Sequence, residues 1–147
     1  MNRSLLFLSL VLFTLLSCTE SDINYINQSD NQQRYNSQIF ETITISENVR
    51  YGANVSLGGA TTGLFMDIYQ PANDVEINRP LILLAHGGSY TSGDKSDLSE
   101  LATFLAKAGY VVASINYRLL DIPPTQLAFK QVVLNAVVDM KAAVRFF

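Results

Sequence analysis

At 147 residues the chain has room for one domain of ordinary size. Apolar residues make up 48% of it and charged residues 16%, and 10 Lys and Arg against 13 Asp and Glu leave a formal charge of −3, a make-up that can bury a core. The mildly acidic balance without a basic run argues against a nucleic-acid partner. A single cysteine excludes an internal disulfide framework and, with a single histidine, leaves no set of side chains for a metal site. No apolar run reaches the roughly 18 residues of a transmembrane helix.

In chain order, Arg3 precedes the apolar run Leu5–Leu16, interrupted only by Ser9 and Thr14, which is the layout of a secretory signal. The run ends in Leu15-Leu16-Ser17-Cys18, which resembles the lipobox of bacterial lipoproteins. That resemblance implies cleavage before Cys18, acylation of its thiol and new amino group, and an exported protein held in the cell envelope by lipid. Residues 1–17 are thus expected to be a lipoprotein signal peptide. Residues 18–38 are expected to be a polar, disordered tether, because Asn, Gln, Ser and Asp dominate and residues such as Ile23, Tyr25 and Ile26 cannot offset the entropy of ordering.

Residues 39–147 should hold the folded part. Thr42–Ile45 and Leu64–Tyr69 alternate polar and apolar side chains as half-exposed strands do, with turn-forming Gly58, Gly59 and Gly63 between them. Pro80–Ala85 is continuously apolar, the pattern of a strand covered on both faces. Ser96–Ala108 carries Leu98, Leu101, Leu105 and Ala108 at helical spacing, with Ser96 as expected N-cap and Gly109 at the C′ position. Tyr110–Ile115 reads as a second buried strand. After Pro123-Pro124, Gln126–Phe147 reads as a helix whose stripe is Val133, Val137, Met140, Val144 and Phe147. Buried strand, helix, buried strand, helix implies an α/β fold with a parallel crossover and helices packed on the sheet.

The turn His86-Gly87-Gly88-Ser89-Tyr90 stands where ligands bind in open α/β sheets, at the carboxyl end of a strand, and its glycines let backbone approach a ligand closely. The segments PLILLAHGGSYTSGDKSD, GYVVASINYRL and DMKAAVRFF, taken in this order, resemble the amino-terminal half of α/β-hydrolases of the esterase/lipase type. The resemblance covers residues 39–147. It implies that Gly87, Gly88 and Ser89 present N–H donors to an oxyanion, that His86 is a structural anchor of the loop, and that Asp67, Tyr117 and Arg118 belong to the scaffold. A competing motif, Gly88-Ser89-Tyr90-Thr91-Ser92-Gly93-Asp94-Lys95-Ser96, departs from the phosphate-binding loop G-x-x-x-x-G-K-[ST] by one inserted residue, Asp94. The insertion displaces Lys95 and sets a carboxylate beside a nest meant for anions.

Acyl transfer on this fold needs a serine on an elbow, a histidine to take its proton, and an acid to orient the histidine. No G-x-S-x-G occurs in the chain, and His86 is the only histidine. Asp121 and Asp139 read as solvated surface charges. The expectation is therefore a lipid-anchored carboxylic-ester hydrolase represented by its front half, inactive by itself, with a hydrophobic sheet edge left open beside Tyr110–Ile115. Its partners would be a small-molecule or carbohydrate ester and, through Cys18, a membrane; no metal or organic cofactor is implied. The alternative is a non-catalytic surface lipoprotein with a degenerate hydrolase-like scaffold.

Overall fold

The computed structural model describes residues 33–147; the expected signal peptide, Cys18 and most of the expected tether lie outside the described residues. Strand β1 (Ile43–Val55) and strand β2 (Thr61–Pro71) form an antiparallel hairpin. Its register shifts after Ser46 and again after Arg50, bulges that bend and twist the ribbon. Asn48 takes a left-handed φ of 54° in the first of them, and its N–H donates to Asp67 Oδ1 at 2.8 Å. Strand β3 (Leu81–Ala85) leads through the glycine loop to a single 3-10 turn, Lys95–Leu98, and helix α1 (Ser99–Lys107). Strand β4 (Val111–Ile115) and helix α2 (Gln126–Phe146) complete the chain.

The four strands make one sheet in the order β1-β2-β4-β3. β4 runs antiparallel to β2, with Met66 opposite Ile115, and parallel to β3, with Leu81 opposite Val111. Alternation along β4 divides the core in two. Val112 packs with Tyr69 against Ala102 and Ala106 of α1. Ala113 and Ile115 pack with Tyr51, Leu64 and Met66 against Ala143 of α2. Fully burying side chains such as Leu64, Met66, Val112 and Ile115 contributes about 1.5–3 kcal/mol each.

Four expectations are corrected here. First, both helices meet the sheet through small residues one position away from the stripes read from sequence. Ala102 and Ala106 are buried on α1 while Leu101 is 46% exposed; Ala128, Val132, Ala136, Asp139 and Ala143 are buried on α2 while Val137, Val144 and Phe147 are exposed. Alanine lets a helix axis approach a sheet closely; of the expected stripes, Ala108 is buried and Leu105 and Met140 pack at the margin of the core. Second, β3 is half-buried from Leu81 to Leu84 and exposed at Ala85, because among the described residues it pairs with β4 alone; the sheet's edges lie at β1 and β3, and β4 is interior. Third, Asp139 is not a solvated charge: it is fully buried, and Arg118 Nε and Nη2 each donate to its carboxylate at 2.8 Å. Fourth, ordered structure begins inside the expected tether. Arg34 pairs with Asp74 and lies over the rings of Tyr35 and Phe40, while the Tyr35 N–H donates to the Ala108 carbonyl at 2.7 Å.

Gly109 closes α1 as expected, with φ +110° and its N–H on the Ala106 carbonyl at 2.9 Å. Ser96 is not the N-cap. The 3-10 turn before α1 is capped by Asp94, which accepts from the Ser96 N–H at 2.9 Å while its own N–H donates to Asp97 Oδ2 at 2.9 Å, a reciprocal capping box, and α1 itself starts after Leu98 with no side-chain cap. Among the described residues no helix is long and apolar enough to cross a membrane.

Candidate active site

The loop between β3 and the 3-10 turn is shaped by its first residue. His86 is only 4% exposed, stacks on Tyr117 with ring centroids 4.5 Å apart, and has its carbonyl bonded by the Tyr117 hydroxyl at 2.7 Å. Its Nδ1 lies 2.8 Å from the Gly87 carbonyl oxygen; because a carbonyl only accepts, Nδ1 carries the proton. His86 is thus held in one tautomer against its own loop. Its Nε2 is buried without a partner, beside a cavity of about 330 Å³ that Gly93, Asn116, Tyr117, Arg118 and Asp121 also line.

Beyond His86 the backbone reverses through conformations in which a side chain is disfavoured. Gly88 has φ +102°, and a Cβ there would stand 2.1 Å from the Ser92 carbonyl oxygen. Ser89 and Tyr90 also lie in the left-handed region, at φ 53° and 63°, strain of a kind that clusters at ligand sites. Gly93 has φ +104°, and a Cβ would meet His86 Nδ1 at 2.3 Å and the Gly87 carbonyl at 2.6 Å. This path turns the carbonyls into the loop. Gly87 O faces His86, and Gly88 O accepts from the N–H groups of Thr91 at 3.0 Å and Ser92 at 3.2 Å. Gly87, Gly88 and Ser89 are themselves exposed, and among the described residues their N–H groups donate to no backbone carbonyl.

The far end of the loop is fastened to two strands. Lys95 Nζ pairs with Asp67 Oδ2 of β2 at 2.8 Å, and the Ser114 hydroxyl of β4 donates to the Lys95 carbonyl at 2.7 Å. Asn116 accepts from the Lys95 N–H at 2.6 Å and donates to Asp94 Oδ2 at 2.7 Å. The Asn116 amide and the Ser96 backbone and hydroxyl hold the Asp94 carboxyl down to a pKa of about 2. Asp67, expected only as scaffold, is therefore the anchor of Lys95 and of the β1 bulge. Arg118 and Tyr117 hold neighbouring elements as expected, Arg118 by way of Asp139. Asp121 accepts from the Gly58 N–H at 3.0 Å and so closes the β1–β2 turn.

The structure brings His86, Gly87, Gly88 and Ser89 together in one turn, with His86 Nδ1 against the Gly87 carbonyl oxygen. Sequence reasoning missed Gly93, Asp94 as a cap, and Asn116. The spacing Asp94-x-x-Asp97 carried the cap signal; nothing local marked Asn116, whose partners are 21 and 22 residues away.

Known proteins share parts of this sequence and of this fold. A segment of the non-reducing polyketide synthase nvfA of Aspergillus novofumigatus is 30% identical over 120 residues, covering 70% of this chain and 5% of that protein. Among solved structures, esterase B from Lactobacillus rhamnosis superposes with a TM-score of 0.55 at 22% identity, covering 80% of this chain and 34% of that one. Esterase 2 from Thermogutta terrifontis gives 0.52 at 24% identity, covering 68% and 35%. The chain thus spans about a third of these esterases, and what it shares with them is the α/β-hydrolase fold, of which it carries part. Residues 66–147 match the BD-FAE family; with more than half of the chain in that match and the fold in agreement, the chain belongs to the BD-FAE family.

Proposed function

We propose that this chain supplies the oxyanion hole of a carboxylic-ester hydrolase anchored to a membrane by lipid on Cys18. One observation carries the reading: Gly87, Gly88 and Ser89 are exposed at the end of a strand, the Gly87 and Gly88 carbonyls are engaged within the loop, and among the described residues the three N–H groups donate to no backbone carbonyl. When a nucleophile adds to an ester carbonyl, the π electrons move onto oxygen, and pre-aimed N–H groups stabilise that charge without reorganising. Each such donor is worth roughly 3–4 kcal/mol of barrier. Family membership and the esterase fold support the reading. Small-molecule or carbohydrate esters are the proposed substrates.

The loop cannot supply the remaining chemistry. Addition needs a hydroxyl whose proton passes to a base, and His86, with Nδ1 against the Gly87 carbonyl oxygen and Nε2 buried, makes no hydrogen bond to Ser89 among the described residues. We therefore propose that residues 1–147 alone do not turn over esters, and that serine, acid and base histidine come from outside them. Incubation of the chain with p-nitrophenyl butyrate and with a fluorophosphonate probe tests this. The expected result is hydrolysis no faster than with a Gly88→Ala variant and no covalent adduct by mass spectrometry. An adduct on Ser89, or turnover that Gly88→Ala abolishes, would overturn the division of roles.

A further inference from the structure

The two ends of the glycine loop are gripped by two consecutive residues. Tyr117 holds the entry, stacking on His86 and donating to its carbonyl at 2.7 Å. Asn116 holds the exit, bonding Lys95 N–H and Asp94 Oδ2 at 2.6 and 2.7 Å. Both follow directly on β4, the interior strand, so the loop is referred to the most enclosed part of the sheet. Opposite a carboxylate at Asp94, the residue at 116 must present one acceptor and one donor, which a carboxamide does from a single planar group. The Asp94 carboxylate then passes the restraint on through its bond from Ser96 N–H at 2.9 Å, and Gly93, beside it, is packed under Gly87 and His86.

We propose that Asn116 is a positioning residue of the oxyanion loop: its carboxamide fixes the Asp94–Lys95 end and thereby the backbone path that engages the Gly87 and Gly88 carbonyls within the loop. The proposal rests on the oxyanion reading for its functional meaning, but its structural content is measurable apart from that reading.

The reporters are the Thr91 and Ser92 amides, which bond the Gly88 carbonyl, against the ladder amides of Val112–Ile115 in β4. In Asn116→Ala and Asn116→Asp, exchange at Thr91 and Ser92 should rise by about tenfold or more, the equivalent of one lost hydrogen bond, with the β4 amides unchanged. Asn116→Asp sets two carboxylates against each other and should be the more severe. The double variant Asp94→Asn/Asn116→Asp exchanges donor and acceptor while keeping every bond geometrically possible, and should return Thr91 and Ser92 to within about threefold of the parent. Unchanged loop exchange in Asn116→Ala would overturn the proposal. So would failure of the double variant to recover while β4 stays protected, or loss of β4 protection in all three variants, which would make Asn116 a general stability residue. In the same samples, phenylphosphonate shifts at the Gly87–Ser89 amides report the oxyanion reading separately. Rescue by the double variant without any phosphonate response would uphold the clamp and remove the oxyanion role.

Discussion

Gly87 and Gly88 are adjacent, equally small and both exposed, yet their backbones make different demands. A methyl at Gly88 would enter the Ser92 carbonyl from a left-handed φ, whereas a methyl at Gly87 would meet nothing within 4 Å. Gly88→Ala is therefore expected to cost at least about 1–2 kcal/mol in urea unfolding, and Gly87→Ala less than about 0.5 kcal/mol. Equal losses would mean that the loop path is not the one described. Asp94 gives a pH signature. Its carboxyl is held at about 2 against an ordinary 3.8, chiefly by Asn116, so the fold favours the charged form. The stabilisation is present above about pH 4 and is lost as pH falls through about 2. The stability difference between the parent and Asp94→Asn should shrink over that interval, and parallel curves would contradict the assignment. At this scale the sequence made the His-Gly-Gly turn legible, because two glycines directly after a buried strand mark a place where backbone must bend sharply or come close to a ligand. It hid Asn116, whose meaning depends on residues brought to it by the fold.

Strand and helix positions were readable from apolar periodicity, and β2, β3, β4 and both helices lie close to where that pattern puts them. The face each helix buries was readable only in part: Leu105, Ala108 and Met140 do pack toward the core, but the centre of each contact lies one position away. Periodicity weights large side chains, while contact with the sheet here selects Ala102, Ala106, Ala136 and Ala143, and a charge, Asp139, sits in the same seam because Arg118 satisfies both of its oxygens. No local pattern announces a buried ion pair between residues 21 apart. Removing one partner leaves the other charge enclosed, so Asp139→Ala should destabilise the chain by about 3–5 kcal/mol. Thermal unfolding checks this: a change under about 1 kcal/mol would show that Arg118 reaches solvent or another acceptor.

For the molecule as a whole, the sheet has edges at β1 and at β3 among the described residues, and α2 leaves Leu134, Val138 and Phe146 exposed. The domain therefore presents exposed apolar side chains on α2 as well as an open edge on the strand that leads into the glycine loop. The anchoring proposal predicts that Cys18→Ser abolishes incorporation of labelled palmitate and moves the chain from the membrane fraction to the soluble fraction of a bacterial host; membrane retention without label would refute it. The central claim is more local: three consecutive N–H groups await negative charge on oxygen. Titration of the ¹⁵N-labelled chain with phenylphosphonate, whose oxygens stand in for a tetrahedral oxyanion, tests it most directly. The account predicts the largest saturable amide shifts at Gly87, Gly88 and Ser89, diminished in Gly88→Ala. Shifts centred elsewhere, or none at those three amides in a folded sample, would contradict it.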